Sequence, residues 1–302
     1  MKLALKIDVD THRGTREGVP RLIELLKKHR AGATFLFSLG PDHTGRAIKR
    51  MFRRGFARKL TRTSVLEHYG LKTLLHGTLL PGPDIGQSCA ETLRRAHQEG
   101  FEVGIHCWDH VRWQDGVGGA NADWTGREMR LASERFAEIF GENAKVHGAA
   151  GWQMNMHAFR LTQRLGFRYG SDTRGTCPYV PVIRAEPVAC PQIPTTLPTL
   201  DEMIGLEGIS RDNIAAALLK LSESPRPTGH VYTLHAEMEG GKLAPVFERM
   251  IEGWKAMGFD LVSMGEIANK LELADLPRHE VIEGEVAGRS GTLALQGKEF
   301  LA

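Results

Sequence analysis

Strand-like and helix-like segments alternate along most of the chain, and this alternation limits the possible folds more than any other feature. Residues 3–7 read as a strand, residues 19–29 as a helix and residues 33–37 as a second strand. Strands that alternate with helices pair in parallel, because each helix carries the chain back across the sheet. About seven such units predict an α/β fold, a distorted (β/α) barrel of about seven parallel strands within residues 1–274.

The composition places few limits on function. Of the 302 residues 41% are hydrophobic, and the formal net charge is only +3, as in an ordinary globular protein. No apolar run is long enough to span a membrane, and Met1 leads almost directly into the first strand, so we expect neither a transmembrane helix nor a signal peptide. Four scattered cysteines without a C-x-x-C pair are typical of a reducing, cytoplasmic compartment. Residues 275–302 are Gly-rich and are predicted to form a weakly ordered tail.

Two aspartates end the first predicted strand. Asp8 and Asp10 are separated by one residue, and because side chains alternate between the two faces of a strand, both carboxylates lie on one face. Two carboxylates this close need a cation, a shared proton or solvent between them. A helix follows at once, and (β/α) folds place their chemistry where a strand ends and a helix begins. Two solvated aspartates at a strand end are the alternative interpretation.

Two histidines follow the strand predicted at residues 101–105. His106 and His110 have a spacing that places them on one face of a helical turn, where two imidazoles can bind one metal ion. Alone, this spacing is also typical of two surface histidines. With Asp10 they make three protein ligands, the number that a catalytic metal site usually has, so we predict a divalent metal at these residues. Zinc, manganese and cobalt all suit such a donor set.

Two further residues are candidates for acid–base chemistry. His235 ends the strand predicted at residues 231–234, and an imidazole there can act as a general acid because its usual pKa lies near neutrality. Asp172 follows another predicted strand and can orient or charge-stabilise a histidine. The alternatives are a buried structural histidine and an aspartate that caps a helix or closes a turn. Trp152 and Arg174 lie near these motifs and are candidates for substrate binding.

These motifs together resemble the polysaccharide deacetylase, or NodB-homology, family of metal-dependent amide hydrolases over about residues 3–265. The first motif of the family pairs a catalytic-base aspartate with a metal-ligand aspartate, and its variant with one intervening residue matches Asp8 and Asp10. The second motif, H-[ST]-x-x-H, matches His106 and His110 with a Cys in the second place. The fifth, L-x-L-H, matches the stretch that ends at His235.

The resemblance implies the roles of these residues. Asp10, His106 and His110 would hold a divalent metal, Asp8 would be the base, and His235 would be the acid, supported by Asp172. The third motif normally reads R-P-P-Y-G, with an Arg that holds the base, whereas residues 147–152 here read HGAAGW. His147 is therefore the candidate substitute for that Arg and a candidate substrate contact.

Longer stretches narrow the resemblance to one member of the family. It removes a formyl group from a lipid-linked amino sugar, a step towards a modified lipid A that gives resistance to polymyxin and cationic antimicrobial peptides. This resemblance implies a lipid-linked aminosugar substrate and action at the cytoplasmic face of the bacterial inner membrane. It rests on residues 6–11 (KIDVDT), 104–110 (GIHCWDH), 147–152 (HGAAGW), 169–175 (YGSDTRG) and 232–241 (YTLHAEMEGG).

A basic segment interrupts the alternation at residues 41–87. Residues 43–66 contain no acidic residue, and their apolar residues recur at about helical spacing, which predicts an amphipathic basic helix. Such a helix is typical of a segment that lies on an anionic membrane. The predicted membrane contacts are Arg46, Lys49, Arg50, Phe52, Arg53, Arg54, Phe56, Arg58 and Lys59.

The basic segment has two other interpretations, and so has the whole chain. The segment could pack against the barrel, or it could bind nucleic acid. The apolar face of its predicted helix has no Tyr or Trp on which bases would stack, so no nucleic-acid partner is expected. For the chain, the alternatives are an amide hydrolase for a soluble substrate, such as an N-acetyl sugar or a ureide, and a non-catalytic binding module. A binding module has no need of both a base and an acid.

Overall fold

The computed structural model describes residues 1–47 and 73–301. Its centre is a curled sheet in which every strand pair is parallel, so the predicted α/β class is confirmed. The first strand is an interior strand of this sheet and is almost fully buried. The strands of the sheet are β1 (Lys2–Val9), β2 (Thr34–Ser38), β3 (Glu102–Cys107), β4 (Val146–His147), β5 (Tyr169–Gly170), β8 (His230–His235) and β9 (Asp260–Val262).

Helices cover the outside of this sheet and begin and end where local chemistry requires. The longest helix among the described residues, α5, starts after Asn121, whose side chain accepts a hydrogen bond from the Trp124 N–H. It ends at Gly141, which has a φ of 75°. The helices are α1 (Val19–Lys28), α2 (Ile85–Ser88), α3 (Ala90–Gln98), α4 (His110–Gly116), α5 (Ala122–Phe140), α6 (Met156–Arg164), α7 (Leu200–Met203), α8 (Ile214–Ser222), α9 (Ala244–Ala256) and α10 (Met264–Ala268).

The gap between β5 and β8 in the barrel is bridged by an irregular segment, residues 191–197, rather than by a regular strand. The Ile193 N–H donates to the Gly170 carbonyl at 2.8 Å on one side, and the Thr196 N–H donates to the Val231 carbonyl at 3.0 Å on the other. The curled sheet is therefore a distorted barrel, as predicted, with its irregular side in the Pro-rich part of the chain.

The C-terminal residues form a hairpin, which corrects the prediction of a weakly ordered tail. Strands β10 (Arg278–Glu285) and β11 (Thr292–Glu299) pair antiparallel, and β10 also pairs with β6 (Val180–Ile183), which in turn pairs with β7 (Glu186–Pro187). Two of the four glycines in this stretch, Gly288 and Gly291, lie in the turn with positive φ, and Gly284 and Gly297 lie within the strands.

We expect the substitution Leu293→Ala to lower the free energy of unfolding by about 2–4 kcal/mol, because the side chain of Leu293 in β11 is 3% exposed and its loss leaves a cavity. Chemical denaturation measures this value. Leu301→Ala is the control, since Leu301 is 86% exposed. Equal stabilities for the two variants would mean that the hairpin does not pack in solution.

Most of the predicted membrane segment lies outside the described residues. Among its predicted contacts only Arg46 is described, and it is exposed, with its Nε donating to the Gly77 carbonyl at 3.0 Å. Lys49, Arg50, Phe52, Arg53, Arg54, Phe56, Arg58 and Lys59 fall in the undescribed range 48–72. In the described parts of the chain, no helix has the length and apolar character needed to span a membrane.

Candidate functional site

Three predicted metal ligands come together at the carboxyl ends of β1 and β3. The Asp10 carboxylate lies between the two imidazoles, with Oδ1 3.2 Å from His106 Nε2 and Oδ2 3.4 Å from His110 Nε2. One ligand atom from each residue lies within 4.8 Å of the others. Asp10 Oδ1 is buried and accepts no hydrogen bond, as expected of an oxygen that serves a cation. Two imidazole nitrogens and a carboxylate therefore fit a divalent metal here.

Backbone and side-chain contacts hold these ligands in place. His106 Nδ1 lies 2.6 Å from the Gly148 carbonyl oxygen, so Nδ1 carries the proton and Nε2 keeps its lone pair for a metal. Glu237 Oε1 accepts hydrogen bonds from the backbone N–H of Asp10 at 3.0 Å and of Thr11 at 2.7 Å. These bonds fix the end of β1, which carries both aspartates.

The predicted base, Asp8, is paired with a lysine that the sequence analysis did not single out. Lys6 Nζ lies 3.5 Å from Asp8 Oδ2 and donates to the Ser171 carbonyl at 3.0 Å, and its side chain is fully buried. Burial lowers the pKa of the Lys6 ammonium, and the Asp8 carboxylate opposes that shift. Lys6, rather than His147, is therefore the cation beside the base.

The predicted acid, His235, stands next to Asp8 in the sheet. In the register of the sheet, His235 on β8 lies opposite Asp8 on β1. The backbone N–H of His235 donates to Glu239 Oε2 at 3.0 Å. The carboxylate beside the imidazole belongs to Asp201, whose Oδ1 lies 3.7 Å from His235 Nδ1. Burial opposes protonation of His235, but the carboxylates of Asp201, Asp10 and Asp8 outweigh it and raise the pKa to about 9.

Asp172 does not support His235, and this prediction was wrong. Asp172 Oδ1 lies 2.6 Å from His147 Nδ1 and accepts a hydrogen bond from the Ala149 N–H at 2.9 Å, while Gln192 Nε2 donates to Oδ2. Asp172 is completely buried. It therefore ties the loop after β4 to the loop after β5 and acts as a structural residue.

The three predicted substrate contacts have largely buried side chains. His147 is 2% exposed, Trp152 is 1% exposed, and Arg174 is paired with Glu202 and 9% exposed. The base candidate Asp8 and the ligand His106 are buried to the same degree, so substrate contact by these three residues stays a prediction. Trp152 has a φ of +54°, an uncommon value for a bulky residue, so the surrounding structure holds this turn in a strained conformation.

Asp201 and Arg289 are site residues that the sequence analysis missed. Arg289, in the turn of the C-terminal hairpin, lies 4.7 Å from the centre of the Trp152 ring, and its Nη1 is 3.9 Å from Asp201 Oδ2. No sequence signal marked either residue, because one lies in the Pro-rich region and the other in the predicted tail. A signal did exist for Lys6, since it alternates with Asp8 and Asp10 on one face of β1.

Burial and neighbouring charges shift the pKa values of several carboxyl groups in the site. Burial alone would raise the pKa of the Asp10 carboxyl, but the neighbouring histidines, His110 first among them, outweigh burial and lower it. Burial, aided by the charge of Asp10, raises the pKa of Glu237 to about 8. Burial likewise raises the pKa of Glu239 to about 7. The site therefore combines an ionised ligand with groups that can exchange protons near neutral pH.

Comparisons with known proteins agree with this geometry. A model of the polysaccharide deacetylase family matches residues 3–170. A protein of Shewanella sediminis, named as a probable 4-deoxy-4-formamido-L-arabinose-phosphoundecaprenol deformylase ArnD, is 38% identical over 98% of this chain and 94% of its own length. A protein of the same name from Wigglesworthia glossinidia brevipalpis is 31% identical over 94% of this chain and 99% of its own length.

A solved structure shares the fold. The crystal structure of a protein described as a polysaccharide deacetylase from Mycobacterium smegmatis matches with a TM-score of 0.61 and 17% identity, over 94% of this chain and 95% of the other. At that identity the likeness concerns the fold alone. It agrees with the distorted parallel barrel described above.

Proposed function

The chain belongs to the polysaccharide deacetylase family, and from this premise we propose that it is a metal-dependent deformylase. The proposed substrate is 4-deoxy-4-formamido-L-arabinose linked to undecaprenyl phosphate, the compound in the names of its two relatives. The products are formate and the free 4-amino sugar on the same lipid. One observation carries the proposal, namely a metal-ligand set that lies beside two groups suited to act as base and acid, Asp8 and His235.

The residues of the site divide the hydrolysis between them. Asp10, His106 and His110 would hold the cation, which when bound polarises the formyl carbonyl and acidifies water. Asp8 takes a proton from the attacking water, and Lys6 keeps this carboxylate in place. The C–N bond of the tetrahedral adduct then breaks, and His235 gives its proton to the leaving amine.

The nature of the metal and the place of action belong to the same proposal. A His₂Asp set accepts zinc, manganese or cobalt, and availability selects among them. A lipid-linked substrate requires the enzyme to work at a membrane surface, and the acid-free basic segment at residues 43–66 suits the anionic cytoplasmic face of the bacterial inner membrane. The amine product carries a positive charge, which suits the resemblance to enzymes of lipid A modification and polymyxin resistance.

The test is metal-dependent release of formate from the lipid-linked formamido sugar. The protein is stripped with a chelator, assayed, and assayed again after adding zinc, manganese or cobalt. We expect formate only after metal is added back. Acetate from an N-acetyl sugar without any formate would point instead to a deacetylase for a soluble substrate. Metal binding without hydrolysis of any amide would point to a binding module.

We expect the substitution Asp201→Asn to move the basic limb of the pH profile to lower pH. The acid must be protonated to act, so activity falls as the pH rises through the pKa of His235, and the Asp201 carboxylate raises that pKa. The rate as a function of pH, measured at saturating metal, gives the shift. Asp212→Asn is the control, because Asp212 is exposed and lies outside the site. An unchanged basic limb would exclude His235 as the titrating acid or Asp201 as its partner.

A further inference from the structure

A small pocket lies beside the metal ligands, between the loops that follow β1 and β8. One loop is the π-helical turn Gly14–Gly18, and the other comprises residues 236–242. Since β1 and β8 are neighbours in the sheet, both loops emerge at the edge that carries the chemistry. The cavity has a volume of about 120 Å³, which is enough for a few water molecules or one phosphate group.

Glycines bring the two loops together around this pocket. A Cβ atom on Gly18 would lie 2.1 Å from the Ala236 carbonyl oxygen, and one on Gly240 would lie 2.7 Å from the Cα of Gly18. Larger residues would therefore force the loops apart. The π-helical turn is itself uncommon, and such turns are frequent at functional sites. The local sequence is thus arranged for close approach of the backbone rather than for ordinary helix packing.

Basic side chains dominate the lining. Arg13, Arg21 and Lys242 face two carboxylates, those of Glu17 and Glu237. Glu17 is paired with Arg13, with Oε2 3.0 Å from the guanidinium Nε, which orients this arginine. The positive groups outnumber the negative ones, and guanidinium and ammonium groups are the usual partners of phosphate in proteins.

Glu237 separates the pocket from the metal ligands. Its Oε1 accepts the backbone N–H of Asp10, whereas its Oε2 is buried and has no hydrogen-bond partner among the described residues. Glu237 as a whole is 6% exposed. A buried carboxyl oxygen without a hydrogen-bond partner is rare, and a sugar hydroxyl, which can donate or accept, is a group that would pair with it.

We propose that this pocket is the subsite for the phosphate-bearing side of a sugar phosphate. Arg13, Arg21 and Lys242 bind the phosphate, and Glu237 Oε2 forms a hydrogen bond with a sugar hydroxyl. The assignment rests on the proposed function and deepens it, because it places the phosphate beside the ligand Asp10 while the formamide reaches the metal.

The experiment compares two substrates of the metal-loaded enzyme, the formamido sugar on a short prenyl phosphate and the same sugar as its methyl glycoside. The measured quantity is the ratio of the two kcat/KM values, from formate release. The wild type should have a higher kcat/KM for the prenyl phosphate substrate than for the methyl glycoside. In the double variant Arg21→Gln/Lys242→Gln this ratio should fall about tenfold or more, mainly through KM, because charge-assisted bonds are lost. Lys220→Gln on α8 is the control, since Lys220 is exposed and distant in sequence from the pocket.

The outcomes separate the subsite from the proposed function. Formate from both substrates at a ratio that the double variant leaves unchanged would keep the deformylase and overturn the subsite. The double variant could instead lose binding to substrate-free vesicles of anionic phospholipid while the ratio of kcat/KM values stays unchanged. That result would show that these residues contact lipid headgroups, and it would also overturn the subsite. No formate from either substrate would overturn the proposed function and the phosphate assignment with it.

Discussion

The substitution Asp8→Asn is expected to lower the rate of formate release about 100- to 10,000-fold, the range that a positioned general base contributes. The amide has the shape of the carboxylate but cannot accept the proton of the attacking water. Asp8 lies 3.7 Å from His106 and 3.5 Å from Lys6, so it stands beside the ligand set without belonging to it. Metal content should therefore stay close to that of the wild type, and metal analysis of the purified variant measures it.

Stability has to be followed in parallel with that rate. Loss of the Asp8 charge leaves Lys6 buried without its partner, and breaking such a pair is costly. Circular dichroism and denaturant unfolding show whether the variant is folded under assay conditions. Asp260→Asn in β9 is the matched control, because Asp260 is exposed on a strand that also pairs with β1. A folded, metal-bound Asp8→Asn enzyme with a near-normal rate would remove Asp8 as the base.

The substitution His235→Ala should cause a loss of similar size that depends on the leaving group. An amine of an amino sugar leaves poorly unless it is protonated, whereas an aniline with electron-withdrawing substituents leaves without help. We therefore expect a 100- to 10,000-fold loss on the formamido sugar and about a tenfold loss or less on an activated formanilide. Steady-state formate release from the two substrates provides the comparison.

The control for that experiment is His97→Ala. His97 is half exposed on α3 and interacts with Glu142 and the Phe140 ring, away from the ligand set. Its rates on both substrates should match the wild type. If His235→Ala slowed both substrates equally, the imidazole would have another role, for example in stabilising negative charge on the adduct.

Residues on regular strands were the ones that the sequence could place. Asp8, Asp10, His106 and His235 all stand at the ends of strands with clear apolar patterns, and parallel strands bring their carboxyl ends to one edge. The period of two along a strand then fixes which side chains share a face. The ligand set and the barrel followed from these two rules and from the family resemblance.

Residues on irregular chain could not be placed in this way. Asp201 reaches His235 from the end of the Pro-rich region, and Arg289 reaches Trp152 from a turn near the C-terminus. Their positions depend on contacts across long stretches of chain, which no local pattern encodes. Asp172 was misassigned for the same reason, since its partner is set by how the loops after β4 and β5 meet.

The residues of the site come from two parts of the chain, before and after the irregular link between β5 and β8, and substitutions can accumulate in one part without altering the other. The metal ligands and the base belong to the regular strands β1 and β3, whereas the partner of the acid, Asp201, belongs to chain that follows the irregular link at residues 191–197. Substitutions in the second part can thus alter the pH response while the affinity for metal is kept. In an evolving family, this separation allows the pKa of the acid to be adapted to new amide substrates while the metal ligands stay the same.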